Sequence, residues 1–319
     1  MSKQILTWDL GATKCKAGIV NVQDDGNFLV CEQTCIIKLD SVDSLAMLVH
    51  EIEQQLGVTH SQIDAITIGA AGIYDGNMLN LKKGYPFAMP IADIASSSDW
   101  APFAVVHDYT PLICASFYPY LETMKIHRGI SELYGRRVAL GIGTGLGLKD
   151  GILKPSGDFW LGMNEMGHIG LCSAPAVPMH LRSIHRKMCL SGATFEDILS
   201  GQGMLHLHHA LSGPSSLDPE ELGAVVRASE AQETLGTFAF YVGLFVGTVQ
   251  LCFMPSGGIF MAGGVLLKHR ELFSCEEFYQ GLWALPAYRT EREKFSVQLI
   301  TDDNAALMGA AHFAMKRLL

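Results

Sequence analysis

Two stretches decide the fold: ILTWDLGATKCKAGIVNV at residues 5–22 and RVALGIGTGLGLKDGIL at residues 137–153. Each reads as an apolar strand, a tip rich in Gly and Thr, and a second apolar strand returning beside the first. One such pattern opening each half of a chain predicts a duplicated domain. The tips, Asp9-Leu10-Gly11-Ala12-Thr13 and Gly143-Thr144-Gly145-Leu146-Gly147, expose successive backbone N–H groups and a hydroxyl, which suits phosphate. Neither is a Walker loop or a GxGxxG fingerprint, so the pair of tips is informative where each alone is not.

Working outward, apolar strands are predicted at 5–9, 16–22, Phe28–Leu39, Ala65–Ala71 and Phe103–His107. Ser41 is read as the cap of a helix whose apolar face is Leu45, Leu48, Val49, Ile52 and Leu56, stopped by Gly57. Tyr74–Trp100 is loop-rich, with a short helix near Ile91, and a helix is expected over Tyr109–Thr123. Further on come a capped helix at Thr194–Leu211, strands at Ile259–Ala262 and Phe295–Ile300, and a closing helix at Asn304–Leu318. Strands and helices alternating in both halves predict an α/β protein of two domains with a cleft between them.

Composition narrows the class. The chain has 319 residues, 49% apolar and 17% charged, which excludes a disordered chain. A net charge of −9 argues against binding a nucleic-acid backbone. It leaves room for a nucleotide held by Mg²⁺ and backbone N–H groups. No charged residue stands between Glu233 and Lys268, and TLGTFAFYVGLFVGTVQLCFM within that run is long enough to span a bilayer. Gly243 and Gly247 even supply a helix-packing face. Its upstream flank, however, is mainly acidic, and the run breaks at Pro255-Ser256-Gly257-Gly258 before restarting as IFMAGGVLL. A buried helix followed by a core strand is the expected outcome, with no membrane partner. Eight scattered cysteines without a CxxC pair read as reduced thiols of a cytoplasmic protein. Met1-Ser2-Lys3-Gln4 runs directly into the first strand, so no targeting segment is expected.

Candidate site residues follow from position. Asp108 ends the strand FAVVH, where a carboxylate faces the crevice of an open α/β sheet; it could equally cap the helix that follows. Glu165 and His168 stand three apart after Phe159-Trp160. Glu196 falls on an expected helix start, where a dipole partner is the plainer role. His168, Cys172, His180 and His185 are close in sequence, but their spacing fits no standard zinc signature. His206, His208 and His209 read as a partly solvated helix face.

Taken together these segments resemble the bacterial-type, non-ROK glucokinase family of the sugar kinase, Hsp70 and actin superfamily. WDLGATKCKAGI is similar to that family's first phosphate hairpin, written around DxGGTNxR, and GTGLG matches the second in full. VVHDYTPLICA resembles the NDFTAV segment, LGMNEMGHIGL the PGEGGHVDF segment, and TFEDILSGQGML the ERVLSGPGL helix. GGIFMAGGVL and DDNAALMGAAH resemble GGVFIAGG and HDNPGLLGSGAH. The order holds from residue 5 to residue 313.

The resemblance implies two actin-like (ribonuclease H-like) domains, residues 1–109 plus 303–319 forming the small one and 110–302 the large one. It implies ATP-dependent phosphorylation of a hexose, glucose first, with ATP and Mg²⁺ as cofactors and a homodimer as the assembly. Asp108 would be the general base. His107, Glu165, His168 and Glu196 would meet the sugar. Asp9 would help place Mg²⁺, with Gly11, Thr13, Gly143, Thr144 and Gly145 on the phosphates and Gly263 and Gly264 near the adenosine. The alternatives are a kinase for another hexose or amino sugar, and a catalytically weakened sugar- or nucleotide-sensing protein. Departures from the family pattern bear on that choice. His107 replaces Asn, Ala12 a Gly, Lys14 an Asn and Lys16 an Arg, and Asn164 and Met166 replace two Gly around Glu165. Gly69-Ala70-Ala71-Gly72 lacks the usual Pro, and Lys82-Lys83-Gly84-Tyr85-Pro86-Phe87 departs from a TN-x-x-W-like segment. An imidazole cannot copy both the donor and the acceptor of an amide in one tautomer.

Overall fold

The apolar strands flanking each glycine-rich tip zip into hairpins. β1 (Lys3–Leu10) pairs antiparallel with β2 (Lys14–Val22), closing at Leu10 opposite Cys15. The computed structural model describes residues 3–23, 29–81, 84–171, 176–227 and 231–319. β3 is described from Leu29 to Lys38; Phe28, where that strand was expected to begin, lies outside the described residues. β4 (Ala65–Ala70) is followed by a small hairpin of β5 (Ile73–Tyr74) and β6 (Leu79–Asn80), then by β7 (Phe103–His107). The order in the first sheet is β3-β2-β1-β4-β7, with β1, β4 and β7 parallel.

The second half repeats this plan. β8 (Thr123–His127) precedes the hairpin of β9 (Arg137–Ile142) and β10 (Leu146–Leu153), and β11 (Phe159–Leu161), β12 (Gly258–Ala262) and β13 (Val297–Ile300) follow. The order is β11-β10-β9-β12-β13-β8, with β9, β12 and β13 parallel and β8 antiparallel on the outer edge. β9 therefore occupies the place of β1, and β12 the place of β4. By contacts the chain divides into a first unit, Met1–Glu122 with Lys154–Leu161 and Asp302–Leu319, and a second, Thr123–Leu153 with Gly162–Thr301. The helix after Asp108 thus groups with the first unit, where the sequence reading placed it in the large domain.

Several helix boundaries differ from expectation for identifiable reasons. Ser44, not Ser41, caps the helix Leu45–Leu56, its hydroxyl accepting from the Met47 N–H at 3.3 Å. Ser41 instead closes a short turn by donating to the Lys38 carbonyl at 2.7 Å. The helix after Asp108 runs only from Tyr109 to Ser116, ahead of Pro119, and Thr123 already belongs to β8. The helix expected from Thr194 begins at Gly201, because Ser200 caps it through the Gly203 N–H at 2.9 Å.

Two close crossings fix the packing. In the first unit the closing helix, Ala305–Arg317, lies on the sheet and on the helix Tyr109–Ser116. A Cβ at Gly309 would strike the Pro111 carbonyl. In the second unit the helix Gln232–Phe253 is long and apolar enough to cross a membrane, yet every residue from Thr234 to Gln250 is buried inside the protein. It crosses the helix Glu276–Leu282 so closely that Gly243 abuts the Phe278 carbonyl, Gly247 the Leu282 carbonyl, and Gly281 the Phe240 carbonyl. The Gly243 and Gly247 face is thereby taken by the protein's own core.

His312, on the closing helix, donates from Nδ1 to the Cys114 carbonyl at 3.1 Å. Burial pushes its pKa down from 6.5 to about 4, with Lys316 adding to the effect and the Cys114 hydrogen bond opposing it. A lowered folded value means the unfolded chain binds the proton first. Stability is therefore lost as pH falls from 6.5 towards about 4, by up to about 3 kcal/mol. Urea midpoints taken across this window should fall less steeply in His312→Gln than in the wild type.

Candidate active site

In the first unit the carboxyl ends of the parallel strands are tied into one edge. The Ala71 N–H donates to the Leu10 carbonyl and the Asp108 N–H to the Ala70 carbonyl, both at 3.0 Å. This edge carries Asp9 on β1 and His107-Asp108 at the end of β7. Asp108 has helical backbone angles, but its carboxylate makes no capping bond to the helix that follows. The capping role, open from sequence, is not taken up. Instead Oδ1 lies 3.0 Å from His107 Nδ1, while the Tyr109 N–H lies 3.3 Å from the same nitrogen. One nitrogen cannot accept from Tyr109 and donate to Asp108 at once; the hydrogen bond formed is the one accepted from the Tyr109 N–H, and the approach to Asp108 is a close contact beside it. Tyr85, unnoticed in the sequence as a partner, donates its hydroxyl to the Ala71 carbonyl. Burial raises the Tyr85 pKa, and the charge of Asp108 raises it further. Lys82 and Lys83, just before it, lie outside the described residues.

Around the first tip, the Gly11 N–H donates to the Lys14 carbonyl and the Leu39 N–H to the Thr13 carbonyl, both at 2.9 Å. Ala12 and Thr13 are exposed. The Asp9 carboxyl is pushed up by burial and pulled down by Lys16 and Lys14. A half-buried carboxylate beside such a tip fits Mg²⁺, which takes one or two carboxylates, its own waters and substrate phosphates.

The second unit gathers the other candidates. The Gly143 N–H donates to the Gly145 carbonyl across the tip, and the Gly143 carbonyl accepts from the Gly201 N–H, both at 3.0 Å. Glu196 is not a first-turn dipole partner, since its helix starts later. Its Oε2 accepts from the Leu146 N–H at 3.1 Å and its Oε1 lies 3.7 Å from His168 Nδ1. His168 Nε2 is in turn 3.9 Å from Glu165 Oε2. Glu165, His168 and Glu196 are thus brought together, with Glu196 fastening their loop to the hairpin. The loop is seated by the Glu196 N–H on the Gly167 carbonyl at 2.9 Å, and by Gly167, whose missing Cβ leaves room for the Leu146 carbonyl. Gly263, with φ of +109°, passes against Ile142 at the end of β9 and leads into Gly264, alongside the root of the same tip.

Four of the other histidines singled out in the sequence have structural partners. His185 stacks on Tyr241 and contacts Cys189 Sγ at 3.6 Å, while His206, His208 and His209 meet Gln202, Thr234 and Ser215. Cys172 lies outside the described residues, and among those described no group of three or more His, Cys, Asp or Glu is placed to hold a metal ion.

Two α/β units sharing one strand order around a Gly/Thr hairpin define an actin-like fold. Among solved structures, a glucokinase from an Antarctic psychrotroph matches with a TM-score of 0.80 at 21% identity, over 97% of this chain and 98% of that one. A ROK family glucokinase from Streptomyces griseus, in complex with glucose and AMPPNP, matches with a TM-score of 0.63 at 16% identity, over 98% of both chains. The glucokinase of Saccharophagus degradans is 26% identical over 317 residues, covering 95% of each chain. The chain belongs to the Glucokinase family, whose sequence model matches residues 6–317. It is an ATP-dependent hexose kinase.

Proposed function

We propose that this kinase converts glucose to glucose 6-phosphate, with Asp108 as the general base. The observation that supports this most is a carboxylate at the end of β7 that makes no capping bond to the helix after it and is contacted by His107 at 3.0 Å. The sugar hydroxyl oxygen bonds to the γ-phosphorus as the bond to the β,γ-bridging oxygen breaks, and Asp108 takes the hydroxyl proton as ADP leaves. Glu165, His168 and Glu196 hold the sugar hydroxyls, and His107 sits beside the base. Gly11, Thr13, Gly143, Thr144 and Gly145 cradle the phosphates, with Gly263 and Gly264 towards the adenosine and Asp9 towards Mg²⁺. Magnesium, when bound, neutralises charge on the phosphate oxygens. Cys15, Cys31, Cys35 and Cys275 are free thiols, which goes with a reducing cytoplasm.

A coupled ADP assay with glucose, other hexoses and amino sugars tests the substrate; ADP release faster with a sugar other than glucose would overturn the assignment. One observation favours a second reading, a sugar sensor of low turnover: His107, in place of the family's Asn, engages the base. His107→Asn should then raise kcat, and calorimetry on the wild type should show sugar binding without ADP release. If His107→Asn leaves both kcat and the sugar preference unchanged, the substitution carries no functional consequence.

A further inference from the structure

Asp150 was not singled out in the sequence, and its carboxylate is 4% exposed on β10. Oδ1 accepts from Asn164 Nδ2 at 3.3 Å, and Oδ2 lies 3.7 Å from Arg136 Nε. The Asp150 carbonyl also accepts from the Gly162 N–H at 2.9 Å, and a Cβ on Gly162 would strike the Asp150 carboxylate. The other end of the Asn164 amide, Oδ1, accepts from the Met166 N–H at 3.5 Å. Asn164 and Met166 are the neighbours of Glu165 on either side.

We propose that Asp150 and Asn164 form a positioning clamp that holds Glu165 in its sugar-binding orientation; this rests on the reading of Glu165 as a sugar contact. Where the resemblance implies glycines flanking this glutamate, the loop would have to lose backbone freedom each time sugar binds. Here one amide bridges a buried carboxylate and the backbone beyond Glu165, so the loop is ordered beforehand. Donation to a carboxylate is among the stronger hydrogen bonds, and its buried acceptor is costly to leave without a donor. Neither residue is among those assigned to the phosphates or to the base, so the effect falls on hexose affinity rather than on the chemical step.

The test compares Asn164→Gly, Asn164→Asp, Asp150→Asn and the double variant Asn164→Asp/Asp150→Asn, with Glu165→Ala as reference. KM for glucose, KM for ATP, kcat and the glucose-induced shift in melting temperature are measured on the full chain. Asn164→Gly should raise KM for glucose about tenfold with kcat and KM for ATP within about twofold. Asn164→Asp, which sets two carboxylates together, should raise it more. The double variant, in which the amide and carboxylate exchange places, should recover most of the loss. If Glu165→Ala raises KM for glucose while Asn164→Gly does not, the clamp is wrong and the role of Glu165 stands. If Glu165→Ala leaves KM unchanged, the role of Glu165 fails and the clamp with it. Parallel losses in kcat and both KM values, without recovery in the double variant, would show a structural brace and overturn the proposal. Should Asp150→Asn fail to fold, the two Asn164 single variants still decide the matter.

Discussion

Asp108→Asn is expected to lower kcat by about 10²–10⁴-fold, the contribution of a positioned base. KM for ATP and the melting temperature should stay near wild-type values. The fold tolerates the change because the Asp108 side chain caps nothing, and its backbone N–H keeps its bond to the Ala70 carbonyl. His107 also keeps its own bond, since its Nδ1 accepts from the Tyr109 N–H at 3.3 Å. An Asn at this position can still meet the sugar hydroxyl but cannot take up its proton at neutral pH. Near-normal glucose-dependent ADP release by Asp108→Asn would remove the base assignment, whatever the fate of the remaining site residues.

The second large effect lies in the core. Gly281→Ala places a Cβ against the carbonyl of Phe240 and the backbone nitrogen of Leu244, neither of which can move without parting the two helices. The expected loss is about 3 kcal/mol or more, despite alanine being the better helix former. Gly236→Ala, in the long helix itself, is the matched control. There a Cβ meets the side chain of Glu277 at 3.2 Å, which can swing aside. Urea denaturation should show a much lower midpoint for Gly281→Ala and a midpoint near or above wild type for Gly236→Ala. Equal midpoints for Gly281→Ala and wild type would contradict the crossing.

The parts of the fold that were legible are those whose signal is local. A strand, a glycine-threonine tip and a returning strand stand within 18 consecutive residues, so both hairpins and their duplication could be read directly. The burial of the long apolar helix could be anticipated from its flanks and from the break after it. Boundaries set by competition were harder: Ser41 and Ser44 are both plausible caps, and only Ser44 immediately precedes the apolar face at Leu45. Glu196 could be named as a candidate, but its setting could not be read, because the bond to the Leu146 N–H joins residues fifty positions apart. Asp150 was missed for the same reason, since nothing within its own strand marks it as the partner of Asn164.

The placement of the last helix has a consequence for how the protein is made. Ala305–Arg317 covers the sheet built from residues 3–107, so that face of the sheet stays open until this later segment has been made. The second unit lacks nothing beyond Thr301. Closing the N-terminal sheet therefore depends on a segment far downstream of it, and until that helix docks, the apolar face it covers is open to other chains.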